Sequence, residues 1–171
     1  SLVGSEMCIR DSTNGVGSVR EALSAAGEIG VKFLTLYAFS SENWRRPKEE
    51  TSALMDLLVQ SIYNELDDLN SNGVKLATIG DVEVLPKSCQ IALKKAIEST
   101  KSNKKITLIL ALSYSSRREI SLAVQKMAQK VMNGQLEYTA INEDLISSYL
   151  STADYPDPEL LIRTSGENRV S

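Results

Sequence analysis

Apolar residues occur along this chain in two patterns that alternate. Short runs rich in β-branched and aliphatic residues predict buried strands, and longer segments with apolar residues at i, i+3, i+4 and i+7 predict amphipathic helices. The predicted strands cover residues 31–38, 74–79, 105–112 and 160–163. The predicted helices cover residues 18–28, 48–70, 85–101, 119–131 and 142–150. Strands that alternate with helices indicate an α/β fold, a parallel β-sheet flanked by helices with right-handed crossovers.

The helical spacing also predicts which side of each helix is buried. For the helix at 85–101 the predicted buried residues are Ile91, Ala92, Ala96 and Ile97. For the helix at 119–131 the predicted apolar stripe comprises Ile120, Ala123, Val124, Met127, Ala128 and Val131, and we expect Gly134 to cap the helix. For the helix at 48–70 the predicted face comprises Leu54, Leu57, Leu58, Ile62, Leu66 and Leu69.

A dense polar cluster at residues 40–46 directly follows the first predicted strand. Pro47 closes the cluster and is suited to the start of the next helix. Open α/β sheets bind ligands at the carboxyl ends of their strands, so this position favours a binding loop. Hydroxyls, an amide, an indole and guanidinium groups together suit an anionic ligand with an organic part. The alternative is an exposed loop that only caps the following helix.

Further polar segments follow the other predicted strands, at residues 80–81, 113–118 and 164–169. Because parallel strands end at one edge of a sheet, we expect these segments and the 40–46 cluster to converge. Such an edge would gather guanidinium groups suited to phosphate, although surface arginines are common. The arginines concerned are Arg45, Arg46, Arg117, Arg118, Arg163 and Arg169. The sequence has neither GxGxxG nor GxxxxGK[ST], which weakens a dinucleotide or P-loop interpretation.

Composition narrows the choice of chemistry. The 171 residues suggest one domain, and a formal charge of −3 without a basic tract disfavours nucleic acid as the main partner. The absence of histidine rules out Ser-His-Asp catalysis and histidine-based metal sites. The two cysteines form no CxxC pair, which indicates a reducing compartment, and no apolar run is long enough to span a bilayer.

The two ends of the chain differ from the rest. Residues 1–12 fit neither a signal peptide nor a regular element, so we expect a non-native leader there, with a disordered native leader as the alternative. We expect the fold to be incomplete at both ends, lacking a first strand and the C-terminal elements. The predicted domain, a partial one, covers residues 13–171.

Three segments resemble the motifs of cis-prenyltransferases, and in particular of the bacterial undecaprenyl diphosphate synthases (isoprenyl transferases). They are residues 38–47 (AFSSENWRRP), 113–117 (SYSSR) and 161–171 (LIRTSGENRVS), and the resemblance extends over 14–171. It implies sequential cis condensation of isopentenyl diphosphate onto an allylic prenyl diphosphate, giving a polyprenyl diphosphate of undecaprenyl type. It also implies Mg²⁺ as cofactor, a homodimer, a cytoplasmic location and peripheral membrane contact through the lipid product.

The resemblance also implies roles for individual residues. Asn43 would assist proton removal from the incoming isopentenyl unit, and the other implied residues would bind substrate. The residues that would contact or line the substrate site are Ser40, Ser41, Glu42, Trp44 and Arg46. Those that would hold isopentenyl diphosphate are Arg163, Arg169, Val170 and Ser171.

The chain departs from the family pattern in several places. The family's Asp-Gly-Asn-Gly-Arg-Trp-Ala motif, with its Mg²⁺ ligand, is missing, so we expect the metal ligands outside this chain and the chain alone to be inactive. Ser113, Ser115 and Ser116 stand where an asparagine and a glycine pair are commoner. The alternatives are a non-catalytic partner subunit of a cis-prenyltransferase complex and a nucleotide-binding α/β module. The intact 40–46 cluster and the missing glycine-rich loop argue against them.

Overall fold

The computed structural model describes residues 17–162. The chain divides into two compact units, Ser1–Ser113 and Tyr114–Ser171. The expected leader at residues 1–12 lies outside the described residues. The leader and the single domain over 13–171 therefore stay predictions.

Helices and strands alternate along the first unit, as the sequence predicts. Residues 17–28 form helix α1. The strands are β1 (Phe33–Ser40), β2 (Val74–Ile79) and β3 (Ile106–Tyr114), and the other helices of this part are α2 (Lys48–Ser71) and α3 (Lys87–Thr100). Of the residues of β3, only the last one, Tyr114, belongs to the second unit.

The three strands form a parallel sheet in the order β1-β3-β2. Residues of β2 and β3 pair from Val74 with Ile106 to Ile79 with Ala111. This confirms the predicted α/β class with a parallel sheet flanked by helices. The predicted bounds of β2 are correct, whereas β1 lies two residues later than the predicted 31–38. Backbone pairing, which hydropathy does not report, carries β1 on to the polar residue Ser40.

Apolar side chains of the sheet and its helices form one core in which α2 and α3 pack against each other and against β2. The side chains of Cys89 and Ala92 are fully buried, so α3 approaches its neighbours through small residues. The buried members of this core are Ala26, Phe39, Met55, Ile62, Leu69, Val74, Leu76, Leu85, Cys89, Ala92, Leu93, Ala96, Ile106, Leu108 and Leu112.

Strand β2 lies at one edge of the sheet, and side chains from the end of α3 and just beyond satisfy its outer backbone groups. The fully buried Thr100 Oγ1 accepts a hydrogen bond from Leu76 N at 3.0 Å and donates to Ala96 O at 2.8 Å. Asn103 Nδ2 donates to Val74 O at 2.8 Å. Because unpaired backbone groups are costly to bury, these contacts fix the position of α3 against the sheet edge.

On α2 the predicted face is correct, since all six of its residues are buried or partly buried, whereas on α3 and on α4 (Ser116–Met132) the predicted faces are correct at their centres and wrong at their flanks. On α3, Ala92 and Ala96 are buried, but Ile91 is 63% exposed. On α4, Ala123 and Met127 are buried, whereas Ile120 and Val124 are more than half exposed. The buried stripe is therefore narrower than the apolar stripe, and hydropathy alone does not show where the covered surface ends.

After Tyr114, the regular elements that the structure describes in the second unit are all helical. Gly134, with φ +67°, ends α4 in the left-handed conformation that glycine adopts freely, as predicted. Asn142 Oδ1 accepts from Leu145 N at 2.9 Å and so caps α5 (Glu143–Ser148). Glu119, on α4, accepts a hydrogen bond from Tyr114 Oη at 2.8 Å and another from Ser151 N at 2.7 Å. Its carboxylate therefore connects the last residue of β3 with the chain that follows α5.

One predicted strand is wrong in the part that can be compared. Residues 160–162 have no strand backbone, and their side chains are exposed. A strand forms only when a neighbour supplies hydrogen bonds, and no strand within residues 17–162 pairs with this segment. Within the same residues, no helix combines the length and apolar character needed to cross a membrane.

Candidate functional site

The polar cluster after β1 forms a single short turn between a strand and a helix. Ser40 is the last residue of β1, and Ser41–Arg45 is a 3-10 helix. The turn closes with a hydrogen bond from Arg46 N to Asn43 O at 3.1 Å, and Pro47 stands directly before the first residue of α2. The predicted loop at the carboxyl end of a strand is thus present, and only Arg46 and Pro47 separate its 3-10 helix from α2.

Ser40 and Asn43 contact each other across this turn. The Ser40 hydroxyl donates a hydrogen bond to the Asn43 side-chain oxygen, and both residues are partly buried. An asparagine amide has one accepting oxygen and one donating NH₂ group. The contact of the amide oxygen with Ser40 fixes the orientation of the amide, and with it the direction in which the NH₂ group of Asn43 can donate.

Trp44 is held by contacts on two sides. Its indole Nε1 donates a hydrogen bond to Ser113 Oγ at 3.0 Å, and its ring meets Phe39 edge-on, with ring centroids 4.9 Å apart and an angle of 68° between the planes. Edge-to-face pairs of this kind contribute about 0.5–1.5 kcal/mol. The Trp44 side chain remains 36% exposed, so part of the anchored indole stays accessible to solvent.

Ser113 has an unusual backbone conformation. Its φ is +49°, the only positive φ of a residue other than glycine among residues 17–162, and its exposure is 4%. A left-handed conformation costs an L-residue about 1–2 kcal/mol, while a neutral hydrogen bond contributes about 0.5–1.5 kcal/mol. The bond to Trp44 therefore offsets much of the strain, but it supplies little net stability.

Arg46 is paired with a carboxylate one helical turn further on. Its Nη1 lies 2.6 Å from Glu50 Oε1 in an i, i+4 ion pair, in which the Glu50 side chain is 17% exposed. The pair fixes the guanidinium beside the start of α2. Of the other predicted residues in the turn, Ser41 is partly buried, while Glu42 and Arg45 are exposed.

The structure brings together some of the segments that were expected to converge. The 40–46 cluster meets Ser113 at the end of β3, and Gly80 follows β2 at the same sheet edge. Residues 115–118 belong to the second unit. The last expected segment, 164–169, lies outside the described residues, as do the predicted ligands of isopentenyl diphosphate, Arg163, Arg169, Val170 and Ser171.

No side-chain cluster in residues 17–162 could hold a metal ion, since no group of three or more Cys, Asp or Glu side chains converges there. The Mg²⁺ that the resemblance implies therefore finds no cluster of three such side chains among these residues. The chemistry that can be derived from the described site is limited to its hydroxyl, amide, indole and guanidinium groups.

Sequence reasoning did not identify Ser113 or Glu50 as partners of the site residues. For Glu50 a signal existed, because a carboxylate four residues after an arginine that precedes a helix can pair with it. For Ser113 only its position after a buried strand was informative. Its contact with Trp44 joins residues 69 positions apart, and no local pattern reports such a contact.

Comparison with known proteins agrees with this fold. Residues 6–171 match the family model described as "Putative undecaprenyl diphosphate synthase". An isoprenyl transferase of Porphyromonas gingivalis is 49% identical over 168 residues, which cover 98% of this chain and 66% of that protein. A ditrans,polycis-undecaprenyl-diphosphate synthase of Micrococcus luteus, described as specific for (2E,6E)-farnesyl diphosphate, is 44% identical and is covered to 66%.

Solved structures show the same architecture. Lavandulyl diphosphate synthase from Lavandula x intermedia, determined with dimethylallyl diphosphate, matches with a TM-score of 0.90 at 33% identity, over 94% of this chain and 70% of that one. A probable undecaprenyl diphosphate synthase from Campylobacter jejuni matches with a TM-score of 0.70 at 31% identity, over 81% of this chain and 64% of that one.

These likenesses place the chain in the cis-prenyltransferase class. It belongs to the undecaprenyl diphosphate synthase family, as the match over 6–171 and the identities of 43–49% to eight curated relatives show. The chain spans 59–69% of the length of those relatives.

Proposed function

We propose that the protein carrying this chain is a cis-prenyltransferase, which condenses isopentenyl diphosphate repeatedly onto an allylic prenyl diphosphate. The observation that carries the proposal is the turn after β1, in which Ser40 orients the Asn43 amide and Ser113 anchors the Trp44 indole. A helix cap would need neither contact. Indeed, the residue at the N-cap of α2 is Pro47, whose side chain makes no capping hydrogen bond.

The proposal also covers the substrates and the product. We infer that the turn binds an allylic diphosphate and isopentenyl diphosphate, with Ser41, Glu42 and Arg46 contributing beside Ser40 and Trp44. A diphosphate with a hydrocarbon tail matches a site that offers hydroxyls and a guanidinium next to an indole. The proposed product is a polyprenyl diphosphate of undecaprenyl length, which the names of several relatives support.

The proposal includes a proton-transfer role for Asn43. Each condensation removes one proton from the isopentenyl unit and releases the diphosphate of the allylic partner. The donating NH₂ group of Asn43 can orient a proton acceptor or the departing diphosphate. Mg²⁺, a homodimer, a cytoplasmic location and contact with a membrane through the lipid product remain part of the proposal, as does the inactivity of residues 1–171 on their own.

The experiment is incorporation of labelled isopentenyl diphosphate by a full-length protein that carries this sequence. With (2E,6E)-farnesyl diphosphate as primer and Mg²⁺ present, we expect label in lipid of undecaprenyl length. The variant Asn43→Ala should lose most of the incorporation, whereas Asn64→Ala, an exposed asparagine on α2, should retain it. No labelled lipid from folded wild-type protein with any allylic diphosphate tested would refute the proposal.

A further inference from the structure

The contact between Trp44 and Ser113 connects the turn after β1 with the end of β3. Both residues lie in the first unit, and the strands that lead to them are neighbours in the sheet. The hydroxyl of Ser113 is almost completely buried and accepts from the indole at 3.0 Å. This contact is therefore a defined link between two strand ends and not a chance encounter of surface side chains.

The backbone strain at Ser113 indicates that its hydrogen bond to Trp44 has a functional role. Serine rarely adopts φ +49°, and asparagine or glycine would adopt it at lower cost. Backbone strain of this kind persists where the surrounding structure requires it and is concentrated at functional sites. Glycine would relieve the strain but has no hydroxyl. Serine at this position therefore keeps the hydrogen bond to the indole at the cost of a strained backbone.

We propose that Ser113 is a positioning residue, which acts through Trp44 and sets the orientation of the indole that lines the substrate site. This inference rests on the proposed function, because it assigns a purpose to the position of Trp44. Phe39 limits the indole from the side of β1, and Ser113 limits it from β3. Without the hydroxyl, the indole would keep one of these two restraints and could turn away from the substrate.

Three substitutions separate positioning from folding. Ser113→Ala removes the acceptor and keeps the strained backbone, whereas Ser113→Gly removes the acceptor and relieves the strain. Ser113→Asn keeps an acceptor and tolerates the left-handed conformation. Ser52→Ala, on the exposed side of α2, serves as the matched loss of a hydroxyl.

The first measurement is the NMR signal of the Trp44 indole N–H, assigned by its loss in Trp44→Phe. In the Ala and Gly variants the signal should move and its exchange with water should accelerate, because the hydrogen bond is lost. In Ser113→Asn it should stay close to the wild-type position. The Gly variant should melt no lower than the Ala variant and yet show the same change of the indole signal.

The second measurement is steady-state kinetics on the full-length protein. The kcat/KM should fall by about 2- to 13-fold in the Ala and Gly variants, the range expected for one neutral hydrogen bond, and recover in Ser113→Asn. An unchanged indole signal in Ser113→Ala, or a changed signal with wild-type kcat/KM, would overturn the inference. If the wild-type protein transfers no prenyl groups, the proposed function fails instead, and the indole signal still reports whether Ser113 holds Trp44.

Discussion

Substitution of Asn43 distinguishes a chemical role of its amide from a structural one, because the two roles predict effects of different size. Asn43→Ala removes the hydrogen bond from Ser40, which costs about 0.5–1.5 kcal/mol of the free energy of unfolding. It also removes the donating NH₂ group. A positioned group that takes part in proton transfer contributes about 10²–10⁴ in rate, so we expect kcat to fall by that factor.

Asn43→Asp and Ser40→Ala each remove one half of this arrangement. The aspartate keeps an oxygen that can accept from Ser40 but has no NH₂ group, so the melting temperature should stay near that of wild type while kcat falls as far as in Asn43→Ala. Ser40→Ala removes the same hydrogen bond and keeps the NH₂ group. Its kcat should fall by about 2- to 13-fold, the equivalent of one neutral hydrogen bond.

The assay is steady-state transfer of labelled isopentenyl diphosphate at saturating substrate, with thermal unfolding measured on the same samples. Saturation removes the weaker binding that the negative charge of Asn43→Asp is expected to cause with an anionic substrate. The reasoning is refuted if Asn43→Asp keeps wild-type kcat, since the amide would then have no chemical part. Equal losses of kcat in Ser40→Ala and Asn43→Ala would mean that Asn43 only holds the turn together.

Further predictions concern binding, stability and reactivity. In the full-length protein, Arg163→Ala or Arg169→Ala should raise the KM for isopentenyl diphosphate about 10- to 150-fold through loss of charge-assisted hydrogen bonds, and an unchanged KM in both would contradict that role. Thr100→Val should lower the free energy of unfolding by about 1–3 kcal/mol in denaturant titration, because Leu76 N loses its buried acceptor; the exposed Thr139→Val should not. Burial raises the pKa of the Cys89 thiol and also shields it from reagents, so at a fixed pH its alkylation should be much slower in folded protein than in urea, and equal rates would refute this.

The class of fold could be predicted from the sequence because it depends on periodicity, and the bounds of β2 were correct to the residue. The widths of the buried helix faces could not, since Ile91 is as apolar as its buried neighbours and only the packing around α3 decides its exposure. The strand predicted at 160–163 was wrong over 160–162 for a related reason. An apolar pattern predicts a strand, but the strand forms only where a neighbouring strand supplies backbone hydrogen bonds.

The residues of the site also differ in whether the sequence alone could identify them. The turn at 40–46 could be located from the sequence, because polar residues after a buried strand form a local pattern. The left-handed Ser113 could not, because serine is a poor choice for that conformation and the reason for its presence is the indole of Trp44. A residue that local rules disfavour is informative where it is observed, since something distant in the sequence must require it.

The two contacts of the site have a common design, which explains how a polar turn can be ordered before a ligand binds. In each, a serine at the end of a strand restrains a larger side chain of the turn: Ser40 on β1 restrains Asn43, and Ser113 on β3 restrains Trp44. A serine side chain is short and loses little conformational entropy when it is fixed, and the sheet has already fixed its backbone. The amide and the indole therefore take their positions from the sheet. Substrate binding does not have to supply the cost of ordering them, so more of the binding energy is available for the reaction.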